Sequence, residues 1–202
     1  MSARAVVGDV FDALPARRGH FALESGYHTD VWLTLDALFV DPAAMAPHVA
    51  ALAERLRAHA PTAICGPQLG GAFLAQALAT ELAVKFFVAE PVPAVPGAES
   101  AGLFRARYQL PVGQVPHVRG QRVAVVDDVI SAGSSVRAAI AGLGEAGASI
   151  VAVGALFVLG DAALRYFAAQ AVPVERLGER ELSLWHPTEC ALCRAGMDLE
   201  RP

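Results

Sequence analysis

The chain has 202 residues, the length of one domain, and its 54% hydrophobic and 18% charged residues exclude an intrinsically disordered protein. A net charge of −4, with Lys85 the sole lysine and no basic block, argues against a nucleic-acid partner. The longest apolar run, residues 150–159, is about half a bilayer span, and Asp9 and Asp12 interrupt the first apolar segment, so neither a membrane helix nor a signal peptide is expected.

In chain order, Val6, Val7, Val10, Phe11 and Leu14 share one helical face and predict a helix over residues 1–14. Residues 19–25 read as a turn and a short extended piece, and residues 31–35 as a strand. Asp41-Pro42 has the form of an N-cap and first helical position. Met45, Val49, Leu52 and Leu56 then repeat at helical spacing, and Pro47 predicts a late start or a kink. Residues 62–65 form an apolar strand running into Gly66-Pro67-Gln68-Leu69-Gly70-Gly71. Leu74, Leu78 and Leu82 mark a helix, and residues 84–88 another strand.

Pro91, Pro93, Pro96 and Gly97 mark a loop, and residues 102–108 read as extended. Pro111, Gly113, Pro116 and Gly120 predict a long mobile loop over residues 109–120. Residues 122–126 form a buried strand, residues 134–146 a helix on Val136, Ile140 and Leu143, and residues 150–158 a further strand. Strands alternating with helices predict an α/β fold on a mainly parallel sheet, with ligands at the carboxyl ends of the strands.

The chemistry concentrates in Val123-Ala124-Val125-Val126-Asp127-Asp128-Val129-Ile130-Ser131-Ala132-Gly133-Ser134-Ser135. A buried strand delivers two adjacent carboxylates, and a loop of small and hydroxylated residues then opens a helix. Such a loop turns backbone N–H groups inward, and the helix N-terminus adds partial positive charge, which together cradle a phosphate. The paired acids beside it suit a sugar diol, so the stretch fits a ribose 5-phosphate. The plainer reading makes Asp127 and Asp128 caps. Adjacent acids at the end of a buried strand repel each other and lose solvation, which weighs against an unused pair.

This stretch resembles the PRPP-binding motif of type I phosphoribosyltransferases across all thirteen positions. The resemblance implies a twisted, mainly parallel sheet flanked by helices, with a hood from residues about 1–40 and 170–202 over a PRPP-binding core at about 41–169. It implies that Asp127 and Asp128 hold the ribose hydroxyls, and that Ser131, Ala132, Gly133, Ser134 and Ser135 wrap the 5-phosphate. Gly19-His20-Phe21-Ala22-Leu23-Glu24-Ser25-Gly26-Tyr27-His28-Thr29-Asp30 is similar to the base-covering segment of orotate phosphoribosyltransferases. Pro67, Gln68, Leu69, Gly70 and Gly71 fall in that subfamily's pyrophosphate loop, and residues 187–196 are similar to the tail of some members.

The implied reaction transfers 5-phosphoribose from PRPP to a base nitrogen, orotate first among the acceptors, through an inverting, oxocarbenium-like transition state. Mg²⁺ would bridge pyrophosphate and ribose hydroxyls, with no metal held by protein side chains alone. A homodimer in the cytoplasm is implied, and three cysteines without a disulfide framework agree with a reducing compartment. Another base, or a PRPP-binding regulator without turnover, are the alternatives.

The chain also departs from that subfamily. Glu24 and Gly70 stand where lysines are common, and Leu159-Gly160 where an arginine typically meets orotate. The loop cations here are Arg105, Arg107, Arg119 and His117. Arg105 and Arg107 are therefore the candidates to assist the departing pyrophosphate. Ser25, Gly26, His28, Trp32 and Ser131 are the candidates for the base. Trp32 reads equally as a stacking platform or a core strand residue, and His28 as a surface turn residue or a ligand contact.

Two further signals are weaker. Gly142-Leu143-Gly144-Glu145-Ala146-Gly147 matches a dinucleotide fingerprint in letters but ends a helix instead of opening one, so it is rejected. His186 with Cys190 and Cys193 offers three zinc ligands and no fourth, so packing or a partial, dispensable metal site is expected there.

Overall fold

The computed structural model describes residues 16–93 and 103–202, and the helix expected over residues 1–14 lies outside them. The main sheet has six strands: β3 (Ala63–Pro67), β4 (Lys85–Pro91), β5 (Tyr108–Gln109), β6 (Arg122–Ile130), β7 (Ser149–Leu159) and β8 (Val174–Arg180). Their order is β5-β4-β3-β6-β7-β8, and every neighbouring pair is parallel except β4 with β5. Helices α1 (Pro42–Arg57) and α2 (Gly70–Leu82) cover one face. Helices α4 (Ser134–Glu145) and α5 (Ala162–Ala169) cover the other, and α3 (Val115–Val118) is a single turn.

Alternation along β6 builds both cores. Val123 and Val125 pack with Val136, Ala139 and Leu143 of α4 and Phe167 of α5. Ala124 and Val126 pack with Leu52 and Leu56 of α1 and Leu74 and Leu78 of α2. All four of those leucines are fully buried, each contributing about 1.5–3 kcal/mol of transfer free energy. A strand buried on both faces is what a parallel sheet requires, and it carries β6 unbroken through Asp127 and Asp128 to the sheet's upper edge.

Asp41 caps α1 by accepting from the amides of Ala43 and Ala44 at 2.9 and 3.2 Å. The helix begins at Pro42 and includes Pro47, so the late start is not found. Pro47 lies on the exposed face, where the carbonyl it cannot serve reaches water.

The expected mobile loop over residues 109–120 is also corrected. Tyr108, Leu110 and Val118 are buried in the α4-side core, Pro116 sits in the first turn of α3, and the Gln114 side chain accepts from the Val88 amide at 3.0 Å. Prolines and glycines here shape a packed connection.

The hood is a hairpin of β1 (Ala16–Ala22) and β2 (His28–Leu33), separate from the main sheet. The chain returns to it after β8, so residues 174–180 belong to the core sheet and the second hood segment begins beyond Arg180. Trp185 and His28 exchange both backbone hydrogen bonds at 2.9 Å. Glu200 accepts from the Ala22 amide and donates to the His20 carbonyl. A short helix, α6 (Ala191–Arg194), lies between these two seams.

Candidate active site

The end of β6 places its two acids on opposite sides of the strand. Asp127 turns towards α4, where the Ser135 hydroxyl donates to its Oδ2 at 2.7 Å, and its Oδ1 accepts from the Asp128 amide at 3.1 Å. Asp128 accepts from the Val129 amide at 2.7 Å and faces the start of α2. Both are buried. Burial, followed by the neighbouring Asp128 charge, holds the Asp127 carboxyl well above the usual carboxylate range, against the opposing effect of the Ser135 hydrogen bond.

The turn between β3 and α2 is pressed against this pair. A Cβ on Gly70 would lie 2.0 Å from Asp128 Oδ2, and one on Gly71 would lie 2.7 Å from Asp127 Oδ1. Only glycine lets the backbone approach that closely. The Gln68–Leu69 peptide in this turn is cis. On the other side, Gly133 takes φ +78° as it enters α4, a conformation side chains resist, and this turns residues 131–135 over the cleft.

The hood closes the site. Glu24, in the hairpin turn two residues beyond the end of β1, accepts from the Tyr108 hydroxyl at 3.1 Å and the Ser134 hydroxyl at 3.3 Å. Burial first, then the Glu24 charge and hydrogen bond, push the Tyr108 phenol upward, so it stays a donor. Between hood and sheet lies a cleft of about 380 Å³. Its wall on the hood side is Leu23, Glu24, Ser25, Val31, Trp32 and Leu33, and its floor is Leu69, Gly70, Asp128, Ser131 and residues 133–135. Leu159 and Leu182 close one end. Among the described lining residues the charged groups are Glu24 and Asp128, both acidic.

The Phosphoribosyl transferase domain family matches residues 39–174 of this sequence. The chain belongs to the phosphoribosyltransferase family. Among its relatives, the orotate phosphoribosyltransferase of Thermotoga maritima is 30% identical over 184 residues, covering 91% of this chain and 89% of the relative. That of Caldanaerobacter subterraneus subsp. tengcongensis is 27% identical over 195 residues, covering 96% and 94%. Two solved structures share the fold: Mycobacterium tuberculosis orotate phosphoribosyltransferase (TM-score 0.63, 21% identity, 87% and 95% covered) and Rhodothermus marinus adenine phosphoribosyltransferase (TM-score 0.67, 18% identity, 86% and 98% covered).

In this phosphoribosyltransferase the cleft brings together many of the residues singled out from the sequence: Asp128, Ser131, Gly133, Ser134, Ser135, Leu69, Gly70, Ser25 and Trp32. Asp127 stands directly behind, and Ala132 is packed into the core. Trp32 lines the cleft, and its half-buried ring lies 6.1 Å from Phe21. Pro67 is buried, and Gln68 is exposed with its amide bonded to Ala89.

Other candidates lie elsewhere. Gly26, at φ +85°, makes the hairpin turn. His28 is neither at the surface nor on the cleft: it is buried on the far side of the hood, beside His20, Cys190 and Cys193. Arg105 and Arg107 are exposed on the irregular segment before β5 and are not among the cleft's described lining residues.

Glu24 and Tyr108 are site residues that sequence reasoning missed in this role. Arg137 on α4 is not among the cleft's described lining residues; its guanidinium stacks on Phe104 at 4.0 Å and on Tyr166 at 3.5 Å from the ring centres. It anchors the segment that carries Arg105.

Proposed function

We propose that this protein transfers the 5-phosphoribosyl group of PRPP to orotate, releasing pyrophosphate and forming orotidine 5'-phosphate. The observation that carries the reading is one cleft in which a buried acid pair, a helix-opening loop of small residues and a glycine-lined turn converge beneath an apolar wall. The orotate phosphoribosyltransferases among the relatives support it over most of the chain.

In this reading Asp127 and Asp128 orient the ribose hydroxyls at the breaking C1–O bond. Residues 131–135 and the α4 N-terminus receive the 5-phosphate. Backbone groups of residues 67–71 face the pyrophosphate, and Ser25, Trp32 and Ser131 wall the base. Closing the hood side keeps water from the oxocarbenium-like carbon.

Mg²⁺ fits this donor set. A polyphosphate must enter a cleft whose described charged lining is acidic, and the oxygen donors available suit a hard cation that keeps part of its shell from substrate. When bound, the ion would neutralise charge on the departing pyrophosphate.

A second reading is favoured by one observation. The described lining of the cleft includes no cation, with Leu159 where an orotate-type arginine would stand, and an unpaired carboxylate is costly to desolvate there. An uncharged heterocycle would meet no such cost. Incubating the protein with PRPP, Mg²⁺ and a panel of bases, and following pyrophosphate release, decides between them. Turnover with orotate is expected; silence with orotate but release with another base would establish the second reading, and silence with every base would leave a PRPP-binding regulator.

Arg105 and Arg107 remain the loop cations proposed to meet the leaving group. Changing both to alanine is expected to lower kcat by at least about tenfold, or roughly 1.4 kcal/mol of barrier. PRPP should still raise the melting temperature, because the cradle is intact. Normal turnover in the double variant would remove both residues from the reaction.

We also propose a two-fold homodimer in the cytoplasm. An exposed apolar groove of about 600 Å³ between α1 and α2, bearing Val40 and Phe73, supports the first. Free cysteines support the second, and burial pushes the Cys65 thiol up to about 12. Sedimentation at micromolar concentration should show a dimer, and a monomer alone would oppose it. No helix among the described residues is long and apolar enough to cross a membrane.

A further inference from the structure

The far side of the hood carries four convergent donors that the transfer reaction does not use. His20 Nε2, His28 Nδ1, Cys190 Sγ and Cys193 Sγ all lie within 4.8 Å of one another. His20 Nε2 is 3.1 Å from His28 Nδ1, 3.4 Å from Cys190 Sγ and 3.6 Å from Cys193 Sγ, and Cys193 Sγ is 3.3 Å from His28 Nδ1. We propose that these four residues form a closed, tetrahedral zinc site that pins the returning chain to the hood hairpin.

The spacing matches the ion. Zinc bonds of about 2.0–2.1 Å to nitrogen and 2.3 Å to sulfur give tetrahedral edges of about 3.3 Å between nitrogens and 3.6 Å from nitrogen to sulfur. The four observed separations fall within a few tenths of an ångström of those edges without any movement of the backbone. Two imidazoles with two thiols make a set that suits zinc, whereas the oxygen donors of the cleft suit magnesium.

The surrounding structure also prepares each ligand. His20 Nδ1 hydrogen-bonds the Met197 carbonyl at 2.9 Å. A carbonyl only accepts, so Nδ1 carries the proton and Nε2 presents a lone pair to the cluster, the arrangement that orients metal-binding histidines. Cys190 is the N-cap of α6 and Cys193 lies three residues on, which sets both sulfurs on one face of the turn.

The histidines need a slip in the hairpin. Arg18 pairs with Val31, but Phe21 pairs with Thr29, one residue out of step. In the first register His28 would oppose Phe21 and point away from His20. The slip makes it oppose Ala22 instead, two residues from His20, and both rings reach one face.

This corrects the expected ligand set. His186 is not a member: its ring is not among the donors that converge there, and its Nδ1 hydrogen-bonds the Thr188 hydroxyl at 2.7 Å. With four protein donors no position is left for a substrate, so the site is structural. It joins β1, β2 and α6 between the two backbone seams at Trp185 and Glu200 and so fixes the wall that carries Glu24, Ser25 and Trp32.

The test uses the full chain purified without chelators, exposed to zinc and desalted. About one zinc per chain is expected, retained in His186→Ala and lost in both Cys190→Ser and Cys193→Ser. Cobalt-loaded wild type should show the strong visible bands of a four-coordinate thiolate site, a readout that survives if the cysteine variants fail to fold. A strong chelator should lower the melting temperature of wild type and leave Cys193→Ser unmoved. Wild type that holds neither metal, a cobalt spectrum of six-coordinate type, a Cys190–Cys193 disulfide in its place, or metal kept by both cysteine variants would each overturn the assignment.

Discussion

Asp127→Asn is expected to make the ligand-free protein more stable at neutral pH while reducing transfer at least about a hundredfold, roughly 2.7 kcal/mol of barrier. Asparagine keeps the shape: its one carbonyl oxygen can still accept from the Asp128 amide, and its NH2 can donate to the Ser135 hydroxyl oxygen, so little packing is lost. What disappears is a buried charge beside another. Burial, then the neighbouring Asp128 charge, raise the Asp127 pKa in the fold above the ordinary aspartate value. As pH rises past that value, the unfolded chain ionises first and binds fewer protons than the folded one, so wild-type stability falls until the raised folded pKa is passed.

The asparagine variant escapes that fall. Its melting temperature should therefore exceed that of wild type near pH 7, by about 2–4 °C for each 1 kcal/mol relieved, and the two should converge below the ordinary carboxylate range. Melting curves from pH 3 to 8 check the sign. A variant less stable than wild type at pH 7 would show that the pair is not strained without substrate. Asp128→Asn, on the cleft itself, should in addition weaken the rise in melting temperature caused by PRPP.

Gly70→Ala is expected to remove activity just as completely, by a steric route. Its methyl carbon would sit 2.0 Å from Asp128 Oδ2 and 2.7 Å from Cγ, distances no real pair of atoms maintains. Either Asp128 swings into the cleft or the first turn of α2 retreats. Both displace the proposed ribose and pyrophosphate contacts together, and an ångström of misplacement costs about a hundredfold. PRPP should no longer raise the melting temperature, while circular dichroism stays that of wild type, because α2 beyond its first turn is anchored by Leu74 and Leu78. An active Gly70→Ala enzyme would mean that the turn does not touch the substrate. The same contact bears on the family's lysine at this position, which cannot be seated here with Asp128 placed as it is.

The part of the site that could be read from sequence is the part that is contiguous. Residues 123–135 carry strand, acids, loop and helix start within one segment, and local rules suffice to interpret it. Glu24 could not be read that way, since its partners Tyr108 and Ser134 are 84 and 110 residues distant. His28 was misplaced because a one-residue slip decides which face it takes, and nothing in the composition of the hairpin announces a slip.

The alternation of strands and helices up to β7 follows from apolar spacing. Strand β8 escapes because it is an edge strand whose seven residues, Val174-Glu175-Arg176-Leu177-Gly178-Glu179-Arg180, include four charges. The connection through α3 escapes because Pro111, Gly113, Pro116 and Gly120 look like loop punctuation, while the burial of Leu110 and Val118 depends on β4 and α4.

The seam at Glu200 has a consequence for the order of events in folding. Its ion pair with Arg17, at 2.7 Å, spans 183 residues of chain. Contacts of that span form after the nearer ones that build the strands and helices between them. On the ribosome, β3 to β8 can pair and bury their leucines while the tail is still unmade. The hairpin meanwhile lacks the strand-like partners at Trp185 and Glu200 that hold it down. A nascent chain therefore acquires a folded sheet, with its acid pair and cradle in place, before it has a finished wall for the acceptor. The wall on the hood side is completed only once residues 185–200 have been made.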